Sequence, residues 1–374
     1  MKAQIIWIAA GTVAVVALAL TSLQEMAGPA EDEGVADALA SFEVNVPDRG
    51  DDDLRVVQWN VENLFDAEDD PDNEGDDEFS PRSWRSWTEA RYLQKLTHLA
   101  DVITAVDPDI LCLEELENRQ VLEDLNRALG DVGRGGFEYI QHREGQDHRG
   151  IDIAIMSRIE PRAVRWITPV ERQRDIMIAD FDLAGHAFTI LVNHWKSQWG
   201  DKEVGAQLRS RQAVAARNAV DEILSRRTNA AILVVGDFNV DHEAELIQKR
   251  LRSITDREAV LTSEDGLLFN MHGVIPAEEQ GTFYYRRGER WNSFDGMSVS
   301  RALLDRESVT YGGSGWKVKP GSYAVVRSPR MLDEEGFPLA FRKVFQRDLG
   351  RRVYVTGFSD HLPVTVTLVL KSDD

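Results

Sequence analysis

One cysteine, Cys112, is the only thiol in 374 residues, so no disulfide can form within the chain. A protein with a large enough core needs none even when exported, so this absence leaves the compartment open. Bases are scarce too: 43 Lys and Arg face 64 Asp and Glu, a net charge of −21. The deficit is local. Residues 24–53 carry ten acids against Arg49, and residues 66–81 carry nine acids and no base. The remainder is nearly neutral, so the acidity belongs to a tail and a loop, and an anionic substrate is not excluded. No basic stripe stands out, which argues against a strong, sequence-specific grip on nucleic acid. The acidic loop DAEDDPDNEGDDE (66–78) lacks the ligand spacing and terminal Glu of an EF-hand and reads as a solvated loop. No internal repeat of fixed short period is present.

Long hydrophobic runs are limited to one, Ile5 to Leu20, preceded by Lys2. It is slightly long for a signal core of roughly 7–15 residues and short for a span of roughly 20. It is apolar on every face and followed by acids, which fits a buried core helix badly. Residues 1–23 are therefore expected to be a signal peptide, with Ala17-Leu18-Ala19 as a small-residue cleavage pattern, or a membrane anchor keeping Lys2 inside. The expected location is periplasmic, secreted or membrane-anchored facing outward. Residues 24–53 have few aromatics and dense negative charge, the composition of a disordered linker. A folded body of 54–370 follows, expected to be monomeric.

Within the body, apolar periodicity predicts helices over 88–106, 119–129 and roughly 204–226. In the first, Leu93, Leu96, Leu99, Ala100, Ile103 and Val106 share a face, with Thr88 as N-cap. Strands are expected at RVVQWN, DILCLEEL (109–116), 151–157, 175–183, 186–194, 230–239, 282–286, 293–300 and 362–370. Several are apolar on both faces and need cover on both sides, which points to an α/β arrangement with two sheets.

Many of these strands end in a polar cluster. Asn60 follows RVVQW, Glu114 and Glu115 follow DILCL, and His194 follows FTILVN. Asp237 and Asn239 follow AAILVVG, Asp295 lies in SFDG, and Asp360 and His361 precede LPVTV. Ligands of α/β sheets bind at strand ends, so these groups are expected to share one cleft. Carboxylates and amides outnumber imidazoles, a donor set for Mg²⁺ or Mn²⁺ in preference to zinc.

The ordered segments QWNVENLF, ILCLEELEN, VNHWKSQ, VVGDFN, SFDG and SDHLPV resemble the endonuclease/exonuclease/phosphatase superfamily, which includes deoxyribonuclease I-like nucleases. The resemblance implies a four-layer α/β/β/α sandwich of two packed mixed β-sheets flanked by helices. It implies Asn60, Glu115 and Asp360 at a Mg²⁺ or Mn²⁺ site; the family pattern of a polar residue and then Glu selects Glu115 over Glu114. It implies that Asp237 positions or deprotonates the attacking water and Asn239 holds the phosphate. Asp295 orients His361, which contacts that phosphate, and His194 stabilises it or protonates the leaving oxygen.

The expected activity is hydrolysis of a phosphodiester by in-line attack of water, with nucleic acid as the leading substrate. A lipid headgroup or small phosphate ester is the alternative, and a non-catalytic binding module is less favoured because no member of the set is missing. RWNSFDG stands where inositol-phosphatase members carry a PAWCDR-like motif, which argues against that branch. Trp195 and Trp199 offer faces on which bases could stack, although partly buried structure is the commoner use of Trp. Arg149, Lys196, Arg209 and Arg211 could meet a phosphate backbone. The base-rich stretch FRKVFQRDLGRR, within 301–359, could form one wall of the cleft.

Overall fold

Strands buried on both faces need cover on both sides, and the chain supplies it with two seven-stranded sheets packed together and helices outside them. The computed structural model describes residues 42–371 except 72, 131, 132, 134, 305–314 and 347–349. The apolar segment at 5–20 lies outside the described residues. Among those described, no helix is long and apolar enough to cross a membrane.

In chain order, the strands are β1 (Leu54–Leu64), β2 (Ile110–Leu116), β3 (Tyr139–His142), β4 (Asp152–Ser157), β5 (Pro161–Ile167) and β6 (Ile176–Leu183). Next come β7 (His186–His194), β8 (Ala231–Asp237), β9 (Ser253–Ile254), β10 (Leu268–Asn270), β11 (Phe283–Tyr285) and β12 (Arg290–Asn292). Last are β13 (Asp295–Ser300), β14 (Gly315–Val318), β15 (Ala324–Val325), β16 (Phe341–Gln346), β17 (Arg351–Thr356) and β18 (Val364–Lys371). One sheet runs β14-β18-β1-β2-β4-β3, with β15 also on β18; the other runs β5-β6-β7-β8-β13-β10-β9. Pairs β1–β2, β7–β8 and β9–β10 are parallel and the others antiparallel, so both sheets are mixed. β11–β12 and β16–β17 are separate hairpins.

Helices α1 (Glu89–Val106) and α2 (Arg119–Gly130) pack on each other beside the first sheet, and α3 (Lys202–Arg226) covers the second. The α3 stripe of Ala213, Ala216, Ala219, Val220 and Ile223 meets Ile178, Leu191, Ile232 and Val234. Small side chains let this long helix lie close to the sheet. Its start is fixed by Asp201, whose carboxylate accepts from the N–H groups of Glu203 and Val204, both at 2.9 Å. The layers are α/β/β/α, as the resemblance implied.

Two local expectations change. Leu93 is exposed on α1, and Lys95 takes a buried place on that helix. The Lys95 ammonium donates to the carbonyls of Glu62 (2.9 Å) and Phe358 (3.3 Å), tying α1 to the ends of the strand segments that carry the site. The folded unit also begins earlier than residue 54, at Glu43. Asn45 donates to the Val325 carbonyl at 3.2 Å, and Arg49 pairs with Asp107 and Asp109. Lys319 reaches Asp53 at 3.0 Å. Asp53 is thus matched by a base distant in sequence and Arg49 by two distant acids, pairings that local composition does not reveal. Gly236 (φ +144°) permits close approach of β8 to β7, because a Cβ there would lie 1.9 Å from the Asn193 carbonyl oxygen.

Behind β13, the rings of His272 and His242 stack at 4.6 Å, and His272 is 1% exposed. Burial, reinforced by His242, lowers the His272 pKa to about 3. The unfolded chain would protonate this ring near 6.5, so its contribution is fully present above about pH 6.5 and lost as pH falls towards 3. Urea unfolding of His272→Gln beside the parent chain should show their stability difference shrinking between pH 6 and 4.5, by up to about 1.4 kcal/mol per pH unit. A difference independent of pH would show that the ring does not stay neutral. In the same assay at pH 7, Lys95→Met should cost about 3–5 kcal/mol, because buried carbonyls and carboxylates lose their cation.

Candidate active site

Strand direction brings the polar ends together. β7 and β8 run parallel, with His194 beside Asp237, and antiparallel β13 begins with Asp295 on the other side of Asp237. Three of the expected site residues therefore share one rung of the second sheet. In the first sheet, Val364 of β18 pairs with Gln58 of β1, which carries Asp360 and His361 to the Asn60 end.

The backbone then departs from regular strand. Between β1 and β2 the register moves from Asn60 opposite Glu114 to Leu64 opposite Leu116. Glu62 (φ +55°), Asn63 (φ +56°) and Glu115 (φ +65°) take left-handed conformations in this irregular stretch, and Asn239 (φ +53°) does so after β8. Such conformations cost about 1–3 kcal/mol each and persist where the surroundings impose them. Here they break the alternation that would otherwise separate these side chains. Glu114 stays between the sheets, while Glu115 turns towards His194 and Arg149.

His361 Nδ1 lies 2.7 Å from Asp295 Oδ2. The other Asp295 oxygen accepts from Gln58 Nε2 at 3.0 Å, and the same amide donates to Glu114 at 2.9 Å. Burial alone would lower the His361 pKa, but Asp295, Asp237 and Asp360 carry it well above the ordinary histidine value. Burial raises the Glu114 carboxyl well above its usual range, against the Gln58 hydrogen bond. Phe283 packs on the His361 ring at 4.8 Å.

Asp237 accepts from the Asn239 N–H at 2.8 Å, the Asn239 amide at 3.0 Å and the Asn60 amide at 3.1 Å. Burial raises its pKa to about 7, partly offset by His361. His194 Nε2 lies 3.7 Å from Asp237 and 3.9 Å from Glu115. Burial, then Arg174 and Arg149, hold His194 well below the ordinary histidine value. Two imidazoles in one site are thus driven apart: His361 is cationic and His194 neutral.

On the far side of Asn60, Arg342 of β16 contacts Asp360 at 2.7 Å and Glu62 at 3.2 Å, and Glu115 adds to the negative field around it. Burial would raise Asp360, yet Arg342, His361 and Lys95 together hold it below its usual value. Glu62 and Asp360 share one guanidinium and Glu115 adds to the field around it, and oxygen donors of this kind suit a hard divalent cation such as Mg²⁺ or Mn²⁺. The Asn60 oxygen accepts from the Glu62 N–H at 3.0 Å and its amide donates to Asp237, so it also holds other site residues in position. Asp237, Asp295 and His361 also lie close enough to one another to hold an ion. Within that trio the His361 Nδ1 is already engaged by Asp295.

All eight expected site residues gather at this one end. Glu62, Gln58, Lys95, Arg174 and Arg342 were not anticipated. For Glu62 a signal existed, since it follows Asn60 by two positions and shares its strand face. Arg342 lies over 200 residues away on a hairpin, and only the general positive charge of its stretch hinted at it. Trp195 is fully buried and packs on Phe238, whereas Trp199 is 86% exposed. Arg209 is occupied by the carbonyls of Lys196 and Ser197, a structural duty. Asp152 is engaged by His142 and the Gly145 N–H.

A search of curated proteins by sequence finds no match. Similar solved structures include a D. rerio TDP2 humanized by 14 mutations, 15% identical, covering 85% of this chain and 99% of that one with a TM-score of 0.50. They also include the mannosyl-6-phosphatase of Bacteroides thetaiotaomicron VPI-5482, at 18% identity, 84% and 99% coverage and TM-score 0.47. The human Nocturnin catalytic domain with a bound sulfate anion is 14% identical, with 88% and 97% coverage and TM-score 0.48. At these identities the likeness concerns the fold. The sequence pattern of the Endonuclease/Exonuclease/phosphatase family matches residues 55–370. The chain therefore belongs to the endonuclease/exonuclease/phosphatase family, whose members hydrolyse phosphoester bonds.

Proposed function

We propose that this protein is a divalent-metal-dependent phosphodiesterase acting on nucleic acid as an endonuclease. The observation that supports a hydrolytic site is the opposed pair of imidazoles around Asp237, with His361 charged and His194 neutral. A base whose pKa is near 7 is poised to take a proton from water at neutral pH, and Asp237 is such a group. Asn60 and Asn239 fix its carboxylate, so the accepting oxygen does not wander. His361, held by Asp295, presents positive charge to a phosphate oxygen. Neutral His194 offers a hydrogen bond to the phosphate or the departing oxygen. Glu62, Glu115 and Asp360 would hold Mg²⁺ or Mn²⁺, which when bound neutralises charge developing on the phosphoryl oxygens. The reaction proposed is in-line attack of water, without a covalent enzyme intermediate.

Nucleic acid is favoured over a small ester by the rim beside His361. Phe283 of β11 packs against that ring at a tilt, and the same hairpin exposes Tyr285 (41%) and Trp291 (36%) among Arg286, Arg287 and Arg290. Aromatic faces interleaved with Arg suit stacked bases and their phosphates. A lipid headgroup or small phosphate ester remains the second reading. Export through residues 1–23 and a monomeric state complete the proposal.

The test uses full-length protein in mild detergent, with supercoiled plasmid, RNA, an aryl phosphodiester and sphingomyelin, in Mg²⁺, Mn²⁺ or chelator. Plasmid or RNA cleavage that chelator abolishes is expected; lipid turnover without nicking would defeat the nuclease reading. Asp237→Asn and His361→Ala should each lower turnover about 10²–10⁴-fold while the circular dichroism spectrum is unchanged. Undiminished turnover in either would remove that residue from the chemistry.

A further inference from the structure

The acidic loop after β1 is not consumed by the active site. Within it the carboxylates of Asp69, Asp76 and Asp77 offer ligand atoms all within 4.8 Å of one another. Three acids at a surface are common and alone imply nothing. Asp76 differs from a surface acid. It is 1% exposed, and its Oδ1 is sealed from solvent with no hydrogen-bond partner. The other oxygen accepts from the Asp70 N–H at 2.6 Å. Among the described residues no base pairs with Asp69, Asp76 or Asp77. The active-site carboxylates, in contrast, have Arg342 and Lys95 beside them.

Buried carboxylate oxygen without a donor is costly, and hard cations relieve that cost. Nearby Glu117 adds to the deficit: it is 4% exposed. All the donors are oxygens on an irregular loop, which suits Ca²⁺, a cation tolerant of uneven geometry, better than Mg²⁺ with its strict octahedron.

We propose that Asp69, Asp76 and Asp77 form a second divalent-cation site of the Ca²⁺ class, separate from the catalytic centre. Its role is to hold the loop against the turn that carries Arg149. A Cβ on Gly75 would lie 2.0 Å from the Arg149 carbonyl oxygen, so the two backbones are in direct contact. Gly150 (φ +61°) leaves equally little room beside the Asn73 amide. Arg149 in turn donates to Asn63 at 2.5 Å and approaches Glu115 at 4.0 Å. Ca²⁺ at the loop thereby steadies one edge of the active site without touching substrate.

The experiment measures Ca²⁺ binding and thermal unfolding of the full-length chain, using CaCl₂ as the probe after treatment with chelator. Parent, Glu115→Gln, Asp76→Asn and Asp69→Asn/Asp77→Asn proteins are compared. The parent and Glu115→Gln should each gain roughly 4–8 °C in Tm at 100-fold excess over Kd. Asp76→Asn keeps the oxygen that accepts from Asp70 yet sheds a buried charge. It should match or exceed the parent Tm in chelator and gain nothing from Ca²⁺. A purely structural Asp76 would give a loss in chelator, and that result overturns the proposal. So would Ca²⁺ binding that survives in Asp69→Asn/Asp77→Asn, or that Glu115→Gln alone abolishes. None of these outcomes depends on hydrolysis, so failure here leaves the proposed activity standing.

Discussion

The pairing of Asp295 with His361 is the contact on which the site is organised. It joins a residue that opens a strand of one sheet to a residue that precedes a strand of the other, and so pins the two sheets together at their reactive end. Because the pair is buried, its charges interact with their neighbours through a medium that screens poorly. His361 holds its proton, Asp237 shifts less than burial alone would drive it, and His194 feels a further positive charge. Gln58 completes the arrangement by giving one hydrogen of its amide to Asp295 and the other to Glu114.

The acidity of the chain takes three physical forms. Around Arg49 and Lys319 acids are matched by bases brought from far away in sequence, and this fastens the N-terminal edge of the domain. At the active site Arg342 and Lys95 compensate a dense carboxylate cluster. In the loop after β1 no base among the described residues compensates Asp76, whose Oδ1 has no hydrogen-bond partner. Equal composition therefore conceals unequal electrostatics, which depend on what the fold places opposite each carboxylate.

How much of this was legible in the sequence follows from the same distinction. The sheets and main helices could be read because their apolar residues repeat with the period of the element that buries them. That the eight expected residues would gather at one end was legible because each follows or opens such a run. Lys95 was not visible: a helical wheel assigns a lysine to solvent, and only the carbonyls of Glu62 and Phe358 explain its burial. Leu93 was misplaced for the complementary reason. The hydrogen bonds of Asn60 to Asp237 and Glu62 were not legible, since no spacing rule encodes them. Arg342 required knowledge of how a late hairpin folds back on the first strand.

His194, Asp237 and Asp295 lie side by side across three neighbouring strands. The hydrogen-bond ladder therefore serves as a ruler for the chemistry. A strand that slipped by one residue would turn Asp237 to the opposite face, and it would also turn Ile232 and Val234 away from α3. Errors in the reactive geometry are thus coupled to errors in core packing. A chain that has buried its apolar residues in the right alternation has already indexed its catalytic candidates, and misregistered forms are rejected on packing alone before any substrate arrives.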